Sequence, residues 1–220
     1  GAGPAGLACA IQLARLARDH GTRSPLNADN IVVLEKAKQL GMHSLSGAVM
    51  DPKGIQALFP DFHNLPIPLD SPVTQEKLLL LTERHAIPFP YIPKALHNHG
   101  HYVISLGKLV QYLGEQAEQL GANMLTGTAA AKLLQQQNKI IGVQSDDKGV
   151  DKTGRMKANF APGLNVYAKC TVLAEGARGS LSKQLVEAFS LDQDCNPQAY
   201  GLGIKELWKL PAGRIQPGLV

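Results

Sequence analysis

Gly1-Ala2-Gly3-Pro4-Ala5-Gly6, running straight into Leu7-Ala8-Cys9-Ala10-Ile11-Gln12-Leu13-Ala14, is the stretch on which the fold turns. It spells G-x-G-x-x-G followed by good helix formers with apolar residues at helical spacing, which predicts a tight turn opening a helix. Gly1 permits the turn, Gly3 lets the backbone approach a pyrophosphate, and Gly6 lets helix and sheet pack closely. Pro4 takes a favoured early helical position, and the free amides around Ala5 and Gly6 face the anion. The ligand implied is a dinucleotide, NAD as readily as FAD. Glycine-rich turns have other uses, so the motif needs support from the rest of the chain. Such a turn also follows a buried strand; nothing precedes Gly1, and the natural chain is expected to start upstream.

Support comes first from the next elements. The helix is expected to run from Pro4 to Asp19 or His20, with Gly21 as its stop. A polar loop follows to Asn30. Ile31-Val32-Val33-Leu34-Glu35-Lys36 then reads as the second parallel strand of a nucleotide-binding βαβ unit, ending in an acid. An acid at that place accepts hydrogen bonds from ribose hydroxyls, normally about 20 residues past the glycines. The longer spacing here is absorbed by the loop. Glu35 is therefore the ribose candidate, with Lys36 beside it.

A second signal lies far downstream. Thr171 to Ala174 reads as a buried strand that runs into Glu175-Gly176-Ala177-Arg178-Gly179, and a helix is expected from Ser180 to Phe189. This would set another helix N-terminus beside the cofactor, with Glu175 available to a ribityl hydroxyl and Gly176 and Gly179 in the turn near phosphate. A nicotinamide-only domain has no need of it. Two such elements, split by an inserted sheet, argue for FAD in an extended form.

Between them, Ser46-Gly47-Ala48 is small enough for backbone to meet a flat ring system. Asp51 to Phe59 reads as a short helix and Pro60 to Pro72 as a Pro-rich connection. Val73 to His101 reads as extended structure in which prolines forbid a helix or a central strand. His97, His99 and His101 alternate and would share one face of a strand. With no carboxylate or cysteine near them, they are read as a polar strand end and not as a metal site. Leu106 to Leu120 is an amphipathic helix stopped by Gly121. Asn123 to Thr126 reads as a strand, Ala129 to Leu134 with Lys139 to Gln144 as a hairpin, and Asp146 to Lys157 as a solvated turn. Ala130, at the start of that hairpin, is counted among the cofactor contacts.

The 220 residues can bury a real core. The 22 Lys+Arg against 18 Asp+Glu are scattered and form no stripe, so nucleic acid is not suggested. Three dispersed cysteines, Cys9, Cys170 and Cys195, form no C-x-x-C and give neither a disulfide framework nor a metal site. The fold predicted is α/β: a Rossmann-like FAD-binding domain of the glutathione-reductase/hydroxylase type with an inserted antiparallel sheet of a second domain. Residues 1–72 and 102–195 form the two parts of the FAD-binding domain, 73–101 the inserted β segment of a substrate or quinone domain, and 196–220 the start of the return into it.

Gly1 to Leu7, Leu34-Glu35-Lys36, Leu45-Ser46-Gly47-Ala48, Asn98-His99-Gly100, Leu173-Ala174-Glu175-Gly176 and Tyr200 to Trp208 together resemble the electron transfer flavoprotein-ubiquinone oxidoreductases. Ala-Glu-Gly, where wider relatives carry Asp-Gly, and Gly-Ile-Lys-Glu-Leu-Trp are the specific parts. The resemblance implies a monotopic enzyme of the bacterial or mitochondrial inner membrane, which takes electrons from reduced electron transfer flavoprotein and passes them to ubiquinone. It implies FAD and a [4Fe-4S] cluster whose four cysteines lie beyond this stretch. The fragment is therefore expected to bind FAD alone and not to run the full reaction. Ser105 is a departure, since many flavoenzymes of the superfamily hold the cofactor with an Arg before this helix. In this family the region after the second strand touches the membrane, and Met42, Leu45, Val49, Met50, Ile55, Leu58 and Phe59 supply either that face or core. No catalytic acid, base or nucleophile is called for, because the redox chemistry belongs to the cofactor. The competing readings are an FAD-dependent reductase or monooxygenase of the geranylgeranyl reductase/aromatic hydroxylase superfamily, and a non-catalytic dinucleotide-binding module.

Overall fold

The computed structural model describes residues 1–45, 47–214 and 216–220. The chain divides into two compact units, Gly1–His43 with Leu113–Gly203, and Ser44–Tyr112 with Ile204–Val220.

The first unit is built on α1 (Pro4–His20). Leu7, Ala10, Ile11, Ala14 and Ala17 recur at helical spacing and are all buried, Leu7 and Ile11 completely. Each of those two side chains contributes about 1.5–3 kcal/mol by leaving water. Pro4 opens the helix, no side chain caps its first turn, and Gly21 closes it at φ 51°, its amide returning to the Ala17 and Arg18 carbonyls. The predicted helix is found with these bounds. Strand β1 (Val32–Leu34) pairs in parallel with β7 (Asn123–Leu125), Val33 lying opposite Met124. The helix α3 (Leu106–Gln119) leads into β7, and Gly121 stops it at φ 101°.

Downstream, β8 (Ala130–Gln136) and β9 (Lys139–Ser145) form the expected hairpin, and β12 (Asn165–Tyr167) adds an antiparallel third strand on β9. Two expectations fail in this region. Asp146 to Lys157 is not simply a turn: β10 (Lys148–Val150) and β11 (Met156–Ala161) form a second hairpin there. Asp151 organises its tip, Oδ1 accepting from the Thr153 amide, the Thr153 hydroxyl and the Arg155 amide. Charges and glycines mark a short exposed hairpin as readily as a loop. Residues 171–174 are not a strand, because a strand is defined by a hydrogen-bonded neighbour and among the described residues they have none. Nor is this stretch fully buried, Val172 being 56% exposed. Helix α4 (Ser180–Phe189) has the predicted limits and buries Leu181.

The second unit holds a three-stranded antiparallel sheet in the order β2 (Ala48–Met50), β6 (Tyr102–Ile104), β3 (Leu69–Pro72). The strand β3 lies inside the stretch expected to be only a Pro-rich connection. Its core gathers Phe59 and Ile55 around the short helix α2 (Lys53–Leu58) with Phe62, Ile67, Val73, Ile104, Leu109 and Val110. Phe62 meets the Tyr102 ring edge-on at 6.2 Å. A separate hairpin pairs β4 (Leu79–Leu81) with β5 (Ala86–Pro88), where Pro88 is tolerated because the ribbon has only two strands. His97, His99 and His101 do not alternate along a strand; the chain turns there, and a ring nitrogen of His97 lies 2.9 Å from the Ile92 carbonyl. Residues 216–220 are tied to this unit through Thr74, Gln75 and Lys77.

Candidate functional site

The glycine turn is held from two sides within the first unit. On one side Glu35, at the end of β1, accepts the Ala2 amide at Oε2 (2.9 Å) and the Ala37 amide at Oε1 (2.8 Å), so the carboxylate clamps the turn to the strand. The strand is itself fixed by the Glu35 amide donating to the Leu125 carbonyl. Each carboxylate oxygen accepts about two hydrogen bonds, so among the described residues each keeps one position open. On the other side runs the stretch ending at Ala174. A Cβ on Gly6 would lie 2.0 Å from the Gly1 carbonyl oxygen and 3.2 Å from the Ala174 Cβ, and one on Gly1 would lie 2.8 Å from the Ala174 oxygen. Close packing therefore requires glycine at both.

Gly3 differs. It is extended (φ −78°, ψ 176°), and a Cβ built on it meets nothing within 4 Å. Neither backbone geometry nor packing demands glycine there, which leaves room for a ligand beside an uncapped helix N-terminus. Pro4 removes one amide of that terminus, and the amide of Leu7 is taken by the Gly3 carbonyl.

Glu175 has a task that its sequence did not announce. Its Oε2 accepts the Ser182 amide (2.8 Å) and hydroxyl (2.9 Å), and Oε1 accepts the Leu181 amide (3.1 Å), so it caps α4 across the turn. Burial by itself would raise this carboxyl; the Ser182 and Leu181 amides and the Ser182 hydroxyl outweigh it and hold it below the ordinary carboxylate range. Among the described residues one acceptor position remains on Oε1. Gly176 sits at φ 79° with open space where a Cβ would be, whereas a Cβ on Gly179 would come within 2.5 Å of Glu175 Oε2.

The structure thus gathers Gly1, Gly3, Pro4, Ala5 and Gly6 at one helix start with Glu35 on one flank and the turn from Glu175 through Gly176 to Gly179 on the other. Lys36 follows Glu35 and is exposed. Ala130 lies in β8 opposite Ser145. In the second unit, Gly47 (φ 74°) leads into β2, whose first residue Ala48 pairs with Ile104, and the Gly47 carbonyl accepts from Lys205 Nζ. Ser46 lies outside the described residues. Ser105 precedes α3, and its carbonyl takes the Leu109 amide at 3.0 Å. The residues that sequence reasoning missed are Ala2, Ala37, Ser182 and Lys205. Only Ser182 carries a signal, a hydroxyl residue in the first turn of a helix that begins just past an acid.

The observations fit a dinucleotide in the first unit: a cradle at Gly3 that a Cβ would fill, bare helix amides for a diphosphate, and a carboxylate with spare acceptor positions for hydroxyls. The class they define is the α/β, Rossmann-like FAD-binding fold with an inserted antiparallel sheet. Solved structures share it: FqzB (TM-score 0.57, 17% identity, over 88% of this chain and 41% of that one) and the myxobacterial chondrochloren halogenase CndH, a variant of FAD-dependent halogenases (TM-score 0.50, 17% identity, 83% and 37%). At such identities the likeness concerns fold alone.

The particular relatives are electron transfer flavoprotein-ubiquinone oxidoreductases. The chain is 44% identical over 222 residues to the mitochondrial protein of Mus musculus and 44% over 224 to the probable one of Acinetobacter baylyi. It is 42% identical over 221 residues to that of Dictyostelium discoideum. Each alignment covers all of this chain but only 35%, 39% and 36% of the relative, so the chain spans a little over a third of their length. No family model matches.

Proposed function

We propose that this chain is the FAD-holding part of an electron-transferring-flavoprotein dehydrogenase, an oxidoreductase that takes electrons from reduced electron transfer flavoprotein and delivers them to ubiquinone. The single observation that carries the reading is the open cradle at Gly3, backed by the Glu35 clamp, in a chain similar along its whole length to such oxidoreductases. Bound FAD supplies the electron-accepting and electron-donating chemistry. The chain's own residues do the positioning: the turn from Gly1 to Gly6 and the start of α1 receive the diphosphate, Glu35 receives ribose hydroxyls, and the Oε1 position left on Glu175 receives a ribityl hydroxyl. Gly47 and Ala48 present backbone to the ring system. Residues 1–72 and 102–195 serve FAD binding, and 73–101 with 196–220 serve the quinone side. The [4Fe-4S] cluster belongs to sequence beyond this stretch.

Attachment to the inner membrane, bacterial or mitochondrial, is part of the proposal. Met42, Leu45 and Val49 are exposed, whereas Ile55 and Phe59 are core and are not available to lipid. No helix among the described residues is long and apolar enough to cross a membrane. Partition of the full natural protein into the membrane fraction, released by detergent and not by salt, checks this.

The test of function is anaerobic mixing of the flavin-loaded, full-length protein with reduced electron transfer flavoprotein. The bound flavin should bleach and recover on adding a ubiquinone analogue. Bleaching by dithionite but not by electron transfer flavoprotein would remove the reading and favour the FAD-dependent reductase or monooxygenase alternative.

A further inference from the structure

The chain carries a net charge of +4, and residues 130–169 hold all of it: seven Lys and Arg against three Asp, while the rest has fifteen of each sign. Those residues are the module of β8 to β12. Lys132, Lys139, Lys148, Arg155, Lys157 and Lys169 are exposed, and among the described residues none of them forms an ion pair. Two of the three acids are occupied locally. Asp147 Oδ1 accepts the Gly163 amide at 2.7 Å, and Asp151 holds the hairpin tip. Uncompensated positive charge therefore sits on a scaffold of paired strands and not on a loose tail.

Apolar side chains stand exposed among these cations: Met156 (71%), Leu164 (71%) and Tyr167 (67%). Met, Tyr and Arg are enriched in protein interfaces. Polybasic lipid-binding segments are clusters of about four to eight cations beside a membrane-spanning helix or on an amphipathic helix; here the cations lie on and between paired strands. The module also belongs to the unit that holds the glycine turn. Gln184 of α4 donates to the Ala131 carbonyl of β8 at 2.9 Å, and the same helix is capped by Glu175 beside that turn.

We infer that the β8 to β12 module is a docking surface for a carboxylate-rich protein face, that of the electron-donating flavoprotein. This rests on the function proposed above. Steering by complementary charge speeds encounter and fades with salt.

The test uses the flavin-loaded protein at full natural length and measures the dissociation constant for electron transfer flavoprotein at low ionic strength and at about 0.15 M. The variant Lys139→Glu/Lys148→Glu/Lys157→Glu/Lys169→Glu should weaken binding about tenfold or more at low salt and flatten the salt dependence. The control Lys77→Glu/Arg84→Glu/Lys94→Glu/Lys108→Glu changes total charge equally and should leave both unchanged. Retained flavin and circular dichroism certify folding, and a glutamine series at the same four lysines, expected to give a smaller weakening, substitutes if the glutamate series misfolds. Equal weakening by both sets, or none from the module set, overturns the surface while leaving the electron-transfer reading intact. So does loss of binding to phosphatidylglycerol vesicles with binding of the flavoprotein unchanged. No binding by the unaltered protein at either salt overturns both.

Discussion

At the scale of single residues, three glycines of one motif have separable jobs. Gly6 is required by packing: a methyl there would sit 2.0 Å from the Gly1 carbonyl oxygen, which backbone must move to relieve. Gly6→Ala should cost about 1–3 kcal/mol of stability even without ligand, read by denaturant unfolding of the apoprotein. Gly3→Val should behave in the opposite way. Its backbone angles suit a branched residue and a Cβ there meets nothing within 4 Å, so unfolding should change less than for Gly6→Ala while flavin retention is lost. A Gly3→Val protein that stays yellow with unchanged affinity would show that the cradle is not the diphosphate site. The three motif glycines were all legible in the sequence, but the division of labour was not, because it depends on how close Ala174 comes from across 170 residues of chain. Glu35 was legible too, from its place at a strand end; its clamp on the Ala2 amide was not, since spacing says nothing about which backbone groups lack partners.

At the scale of elements, helices were read well and strands unevenly. The limits of α1, α3 and α4 follow from signals carried locally, Pro4 and Gly21, Gly121, and a serine-rich start. The hairpin of β8 and β9 is likewise local. What failed needed a partner: residues 171–174 have the composition of a buried strand and no ladder, and β10 with β11 looked too polar to pair. The same dependence governs α4, whose cap comes from Glu175, five residues before its first. Glu175→Gln should destabilise by about 1 kcal/mol at neutral pH. The native carboxyl titrates below its unfolded value, so its contribution is complete above about pH 4.3 and is lost as pH falls through the lower folded value. The gap between the variant and the unaltered protein in chemical unfolding should therefore narrow as pH falls below the unfolded carboxyl value; a gap that does not narrow would assign the loss to packing and not to charge.

Across the whole molecule the chain passes between its two units three times, at His43–Ser44, Tyr112–Leu113 and Gly203–Ile204. The last passage lies in the least protected stretch. Residues 196–210 make no backbone hydrogen bond to other described backbone, and Leu202 and Leu207 are 94% and 93% exposed. Backbone of this kind opens at little cost. Brief trypsin digestion should cut first after Lys205 or Lys209, ahead of Lys132, Lys139 and Lys157 in or beside the paired strands, with the order read by mass spectrometry. First cuts within the β8 to β12 module would contradict that ranking.

The two-sided grip on the glycine turn also has a consequence for synthesis. The turn is the first part of this stretch to leave the ribosome, yet Glu35 arrives some thirty residues later, the β7 carbonyl that fixes Glu35 comes from Leu125, and the Ala174 wall and the Ser182 amide that holds the adjoining Glu175 come later still. At about 5–20 residues per second, the nascent turn waits on the order of ten seconds or more for its last neighbour. Within this stretch the glycine turn is thus made before every group that holds it, and its grip is complete only after Ala174 and the first turn of α4 have been added.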